Sequence, residues 1–278
     1  MLERSRGLDA DALESVARLE VATIAADGGR LKLEWGALKS RRDNEVRDLL
    51  WRDDGEVVGF AGLYVFGSMT PEVTGMVHPS HRRRGIGSAL LDEMVRLCSE
   101  LGDAKFLLVT PRSSEAAQRL AATRGGALDH SEHALALRGA VVDGPEDPAV
   151  VLRRATVADA DEVQRLLAAA FGHATVPLDL AEPNEPTMVA ERDGTTIATL
   201  RVHQTPEGWG VYGLAVDPAW QGKGIGRDVL RRVCRQANDA GIERVHLEVS
   251  VENDRALGLY TSLGFAHETT EDYYGIAL

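Results

Sequence analysis

Two cysteines in 278 residues, Cys98 and Cys234, are too few for a disulfide framework or a cysteine-ligated zinc site. Each falls in an amphipathic helical pattern, where a reduced thiol serves packing. Long apolar runs are missing as well. No stretch approaches the roughly 18 residues of a membrane-spanning helix, and Met1 to Arg6 hold no signal-peptide core. These absences lead to the expectation of a cytoplasmic protein with no membrane partner. Basic charge is in deficit: Lys+Arg number 31 against Asp+Glu 43, a formal net charge of −12. Such a balance opposes general binding to a nucleic-acid backbone, while leaving room for a local basic patch around a small anion. Aromatic residues make up only 5%, yet hydrophobic residues reach 44%, which excludes wholesale disorder. The length suits two domains of ordinary size.

What the chain does have is an internal repeat. His78-Pro79-Ser80-His81-Arg82-Arg83-Arg84-Gly85-Ile86-Gly87 recurs 139 residues later as Asp217-Pro218-Ala219-Trp220-Gln221-Gly222-Lys223-Gly224-Ile225-Gly226. The same offset relates Asp54-Gly55 to Asp193-Gly194 and Gly102 to Gly241. Two copies of one domain follow. The paired prolines and acidic residues of Asp143 to Pro148 oppose both helix and sheet. They place a linker at 141–149 between an N-terminal domain at 1–140 and a C-terminal domain at 150–278.

In the second copy, Val151 to Ala155 reads as a strand, and Thr156 and Asp159 cap a helix running to about Phe171. Met188 to Glu191 and Thr196 to Val202 flank Asp193-Gly194, a hairpin signal. Asp48 to Trp51 and Val57 to Val65 repeat that hairpin around Asp54-Gly55. Next come a strand at Val211 to Val216, a glycine loop, and a helix to about Ala240 that ends at Gly241. Arg244 to Ser250 is a strand, Arg255 to Leu263 a helix, and Tyr273 to Leu278 a last strand. The expected fold class is α/β (α+β): two tandem domains, each a mixed, mostly antiparallel sheet flanked by helices.

A strand, then Gln221-x-x-Gly224-x-Gly226, then a helix, sets several backbone N–H groups at the positive end of a helix dipole. That arrangement is an anion site. Glycine allows close approach of the anion to the backbone. Lys223, and Arg82, Arg83 and Arg84 in the first copy, add charge suited to a pyrophosphate. The three arginines read equally as a solvated basic turn. Neither a three-glycine dinucleotide loop nor a Walker loop is present, and no Ser/His/Asp spacing points to a hydrolase.

Gln/Arg-x-x-Gly-x-Gly after a strand, with Asn253, Ala256, Tyr260 and Leu263-Gly264-Phe265 downstream, resembles the GNAT superfamily of acyl-CoA-dependent N-acetyltransferases. The likeness spans 150–278 and, more weakly, 1–140. It implies acetyl-CoA as acyl donor and no metal. It further implies that backbone groups of Leu214, Ala215 and Val216 pair with the pantetheine arm. Gln221, Gly222, Lys223, Gly224, Ile225, Gly226 and Arg227 would then cradle the phosphates, and Asn253 would touch the arm. Met76, Val77, Arg82, Arg83, Arg84, Gly85, Gly87 and Ser88 are the corresponding first-copy positions.

Acyl transfer to an amine needs a base, an oxyanion site and a proton for the departing thiolate. Tyr260, on the helix after the central strand, suits the last role, or is a core tyrosine. Glu248, on the strand Val245 to Val249, is either a partly dehydrated base or a solvated outer-face residue. The string from Leu247 to Phe265 is similar to ribosomal-protein alanine acetyltransferases, which implies Glu248 as base and Tyr260 as acid. The tandem arrangement is similar to mycothiol synthases. These carry an acidic residue on the strand before the loop, where this chain has Gly210 and Tyr212, with Glu207 outside the strand. Tyr274 fits that family's last-strand tyrosine, so Tyr212 and Tyr274 are the expected acceptor contacts. At the 139-residue offset Tyr260 becomes Ala121, Asn253 becomes Ser114 and Glu248 becomes Val109, which implies a catalytically degenerate first copy. The expected activity is direct acetyl transfer to a primary amine of a small molecule or peptide N-terminus. The alternatives are a mycothiol synthase-like enzyme and a non-catalytic acyl-CoA-binding regulator.

Overall fold

The computed structural model describes the whole chain except residues 42–44, 67–68, 173–179, 181 and 206–207, so Glu207 lies outside the described residues. Hairpin chemistry organises both halves. Asp54-Gly55 and Asp193-Gly194 all take positive φ, at 46° and 86° and at 52° and 76°, the left-handed pair that matches strand twist in a two-residue turn. They join β2 (Asp48–Asp53) to β3 (Glu56–Tyr64), and β8 (Thr187–Arg192) to β9 (Thr195–Thr205).

The chain divides into two units: Met1–Ser131 with Thr269–Leu278, and Glu132–Glu268. In the first, β1 (Leu2–Ser5), β2, β3, β4 (Glu72–Val77), β5 (Lys105–Pro111) and the end of β12 (Ala266–Ala277) lie in that order. All neighbours are antiparallel except β4 and β5. The helix α3 (Ile86–Leu101) puts Leu90, Leu91, Met94, Leu97 and Cys98 on one face, against Leu49, Leu63, Phe106, Leu108 and Ile276. This is the 3.6-residue spacing of a core-facing stripe. On the other sheet face, α1 (Ala10–Asp27) packs Val16 and Leu19 with Leu50, Phe60 and Met76. The helices α2 (Trp35–Ser40) and α4 (Glu115–Ala122) complete the unit.

The second unit repeats the plan. Its order is β6 (Ala127–Arg138), β11 (Arg244–Ser250), β10 (Gly208–Val216), β9, β8, β7 (Val150–Arg154), with only β10 and β11 parallel. Val229, Leu230, Val233, Cys234 and Ala237 of α6 (Ile225–Asp239) pack on one face, followed in the chain by α7 (Asp254–Ser262). Val163, Leu166 and Leu167 of α5 (Ala160–Phe171) pack on the other.

The units do not follow the linear halves expected from the repeat. β6 begins in the first unit and supplies the neighbour of β11 in the second, while β12 returns to pair with β5. Each sheet is closed by a strand from the other copy, so the crossing points lie inside β6 and β12. Residues 141–149, expected as a linker, are strapped to α6 within the second unit. Arg231 donates to the carbonyls of Val142 (3.2 Å) and Pro145 (2.9 Å), and Arg232 to those of Asp147 (2.8 Å) and Val150 (3.0 Å). The proline-rich composition marked irregular backbone correctly. It carried no information about the arginines that hold it.

Since Ile276 is buried in the first unit's core, Ile276→Ala is expected to destabilise that unit by about 2–5 kcal/mol. Hydrogen exchange should show lost protection across β5, with β10 and β11 unchanged.

Candidate active site

Parallel pairing of β10 and β11 is brief. It joins Trp209 to Val245, Gly210 to His246 and Val211 to Leu247, and goes no further. The reason is a β-bulge. β10 pairs with β9 at Tyr212 and resumes at Ala215, with Gly213 at φ +61° between them. A bulge inserts one residue, bends its strand and leaves backbone groups outside the ladder. Leu214, Ala215 and Val216 therefore run along an edge with no ladder to β11. That edge can receive an extended polar chain.

At its end, Asp217 caps the turn by accepting from the N–H of Ala219 at 2.8 Å. Gly222 (φ +76°) and Gly224 (φ +85°) adopt conformations that a side chain disfavours, and a Cβ on Gly224 would meet nothing within 4 Å. The space over that turn is open. α6 then starts with no side-chain cap, so its first N–H groups face that space as anion donors. Ile225 is buried, and a Cβ on Gly226 would lie 3.1 Å from Leu259 and 3.5 Å from Val216; this glycine serves close packing of α6 on α7 and β10.

The side chains around the cradle hold it in shape. Gln221 donates to the Val216 carbonyl (3.0 Å) and accepts from Arg255 (3.0 Å). Lys223 sits 4.7 Å from the Trp220 ring centroid, and Arg192 is 5.3 Å from the same ring. Arg227 donates to Ser262 at 3.0 Å. Asn253 caps α7, accepting from Ala256 N–H at 3.0 Å.

Tyr260 is half-buried on α7 against the α6-side core. Its hydroxyl makes no hydrogen bond among the described residues, and burial pushes the phenol up to about 12. It is protonated at neutral pH. Glu248 is half-buried on β11, whose alternation sends Val245, Leu247 and Val249 into the α6-side core and His246, Glu248 and Ser250 to the other face. Glu248 thus lies on the face of β11 opposite the core against which Tyr260 of α7 packs. Both thiols, Cys98 and Cys234, are buried and pushed up to about 12 by desolvation; neither is a nucleophile near neutral pH. Among the described residues no cluster of His, Cys, Asp or Glu is arranged to hold a metal ion, and no helix is long and apolar enough to cross a membrane.

The first copy keeps the glycine turn ahead of an uncapped helix, but neither the bulge nor the side chains of Tyr260 and Glu248. Gly85 takes φ +82° ahead of an uncapped α3, with Gly87 and Ser88 in its first turn. The three arginines are neither a uniform phosphate clamp nor a merely solvated turn. Arg82 donates to the Val77 carbonyl (3.1 Å), as Gln221 does to Val216, and forks onto Asp27 at 2.7 and 2.8 Å. Arg84 lies 3.8 Å from Asp53 and donates to the Ser80 carbonyl. Arg83 holds φ +62° where the second copy has Gly222. β4 pairs with β3 continuously from Glu72 to Val77, with Met76 buried and no bulge. Ser114 caps α4 as Asn253 caps α7, but fully buried Ala121 replaces Tyr260, and buried Val109 replaces Glu248.

Two acceptor-side expectations separate. Tyr212 lies on β10 beside the fork. Tyr274 pairs with Leu108 of β5 and packs against the first unit's α3 core, so it belongs to the other unit. The sequence expectation of an unbroken strand from Val211 to Val216 does not hold, and Gly213, an isolated glycine within a strand, is the signal of the bulge. Its effect is a slip of one residue in the repeat. Glu72, opposite Tyr64 and Leu107, corresponds in register to Gly210, opposite His203 and His246.

The raised value for Tyr260 has a defined sign. Stability contributed by the neutral phenol is intact below about pH 10 and is lost as pH rises through about 12. Ultraviolet titration of the wild type minus Tyr260→Phe should accordingly show one tyrosine ionising near pH 12; a difference curve centred near 10 would contradict the buried placement.

Comparison with known proteins agrees with this geometry. The profile of the acetyltransferase (GNAT) family matches residues 17–125 and 157–265. The mycothiol acetyltransferase of Amycolatopsis mediterranei is 32% identical, covering 96% of both chains. That of Kineococcus radiotolerans is 34% identical over 96% of this chain and 94% of its own. Among solved structures, a GCN5-related N-acetyltransferase from Sphaerobacter thermophilus superposes with TM-score 0.82 at 19% identity, covering 100% and 96% of the two chains. A tandem GNAT protein of the clavulanic acid biosynthesis pathway gives 0.70 at 16% identity, covering 100% and 98%. The chain belongs to the GNAT family of N-acetyltransferases, carrying its domain twice.

Proposed function

We propose that the second unit transfers the acetyl group of acetyl-CoA directly to a primary amine of a small molecule of the mycothiol type. The observation that carries this reading is the fork between β10 and β11, followed by an uncapped helix terminus, in a unit whose α7 carries Tyr260 as a protonated phenol. The diphosphate lies on the N–H groups from Gln221 to Gly226, with Lys223 and Arg227 at its rim. The pantetheine arm pairs with the free edge of Leu214, Ala215 and Val216, near the amide of Asn253. The bulge N–H groups face the thioester carbonyl and stabilise its oxyanion, which is where fixed donors contribute most.

The acceptor nitrogen attacks the carbonyl as Glu248, directly or through one water, takes its proton. The C–S bond then breaks and Tyr260 protonates the departing thiolate. No covalent enzyme intermediate is needed, in keeping with two inert thiols. Tyr212 contacts the acceptor. Coverage of 94–96% of relatives named for mycothiol supports a small-molecule acceptor over a peptide. The first unit, with Val109 and Ala121 at the two chemical positions, is structural and catalytically silent; its Gly85 to Ser88 cradle makes no turnover.

Thiol release with acetyl-CoA and a panel of primary amines tests the reading. Tyr260→Phe should lower kcat by about 10²–10⁴ with little change in the KM for acetyl-CoA, and Glu248→Gln should lower it comparably and remove the acidic limb of the pH profile. Gly224→Val should weaken acetyl-CoA binding at least tenfold in calorimetry, while Gly85→Val should leave turnover intact. Tight binding with no turnover of any amine would instead make the chain a binding protein.

A further inference from the structure

The hairpin end beside each glycine turn carries opposite charge in the two copies. In the first, Asp53 closes β2, and its carboxylate lies 3.3 Å from His81 Nε2 and 3.8 Å from Arg84. At the 139-residue offset Asp53 becomes Arg192, His81 becomes Trp220 and Arg84 becomes Lys223. The meeting of hairpin end and turn is retained. Arg192 stands 5.3 Å from the centroid of the Trp220 ring, and Lys223 stands 4.7 Å from the same centroid. Where the first copy has a carboxylate holding a cation, the second has an arginine beside one.

Two cations on one indole lie within about 10 Å of each other, inside a single screening length at 0.1 M salt. They repel, so the arrangement calls for a counter-charge, and the segment 141–149 supplies it. The carboxylate of Asp147 accepts from Arg192. Asp147 is itself fixed on several sides. Its N–H donates to the carboxylate of buried Asp228 at 3.2 Å, its carbonyl accepts from Arg232 at 2.8 Å, and its other carboxylate oxygen accepts from the N–H of Ala149 at 2.9 Å. Asp228 sits in the first turn of α6, the turn that opens the cradle. Asp193, 3.8 Å from Arg192 and exposed, is a looser second partner. Arg192 is thereby neutralised, while Lys223 makes no ion pair among the described residues. The ring between them is half-buried against the α6-side core and does not float free.

We infer that Arg192 is a positioning residue for the acyl donor: it braces the Trp220 ring on which Lys223 rests and denies Lys223 a carboxylate, so that the ammonium keeps its full charge for the phosphates at the cradle. An aspartate at 192, as the first copy has at 53, would draw the ammonium into an ion pair that an incoming phosphate must break. The π face of an indole holds a cation more weakly and gives it up to a fully charged anion. Asp147 completes the device, since an unpaired Arg192 would itself compete for the anion. The consequence is selectivity among donors. Acetyl-CoA carries phosphates and gains from the ammonium. S-acetylpantetheine has the same reactive end without phosphates and gains nothing.

The inference rests on the cradle of α6 as the phosphate site, and the experiment separates the two. Calorimetry gives the affinity for acetyl-CoA, and thiol release with the best amine of the panel gives kcat and KM for acetyl-CoA and for S-acetylpantetheine. Arg192→Asp should weaken acetyl-CoA binding and raise its KM about tenfold, flatten the salt dependence of that KM, and leave kcat and the S-acetylpantetheine parameters near wild type. Arg192→Lys, which keeps the charge, should recover most of the affinity. In a Lys223→Gln background the Arg192→Asp change should have no further effect on acetyl-CoA, an outcome that a merely structural role for Arg192 would not produce. Unchanged acetyl-CoA affinity in Arg192→Asp, an equal loss with S-acetylpantetheine, or a loss that persists undiminished beside Lys223→Gln would overturn the role of Arg192. Failure of the wild type to bind acetyl-CoA would overturn the reading of the cradle itself.

Discussion

The site proposed in the second unit depends on two parallel strands that stop pairing. Three residue pairs hold β10 to β11, and then the bulge at Gly213 turns β10 away. Unsatisfied backbone groups inside a sheet are costly, so the divergence persists only where something else can satisfy them. A ligand with an extended amide-bearing arm, as proposed for this site, would do so. The first unit shows the alternative: β4 keeps continuous register with β3 and gains no bulge.

The two copies also spend charge differently. In the first, the cations beside the cradle are absorbed by carboxylates, Arg82 by Asp27 and Arg84 toward Asp53. Its α1-side face is likewise closed from within. Arg30 forks onto fully buried Glu271, and Lys32 reaches both Tyr273 (2.6 Å) and Glu72 (3.4 Å). Such pairs suit a unit that must fold and hold shape, since a buried charge without its partner is strongly unfavourable. In the second, Lys223 rests on an aromatic ring, a weaker hold that a phosphate can outcompete.

Strand exchange adds a further constraint. Because β12 completes the first sheet and β6 the second, neither copy is a linear segment of sequence. The first unit takes the last strand of the chain, and the second takes the strand that the first begins.

Much was legible from local chemistry. The Asp-Gly hairpins, the Gly224-x-Gly226 turn, the amphipathic stripe of α6 and the pairing of Asn253 with Ser114 as helix caps all follow from backbone preferences that act within a few residues. The 139-residue repeat and the loss of Tyr260 and Glu248 equivalents in the first copy are likewise properties of the linear chain. What the sequence alone could not decide was partnership across the sheet. It could not show that Tyr274 serves the first unit, that residues 141–149 bind α6, or that a one-residue slip puts Gly210 where Glu72 stands. Those outcomes depend on which strands hydrogen-bond and in what register, and long-range pairing is set by the combined burial of side chains distant in sequence, which no local preference encodes.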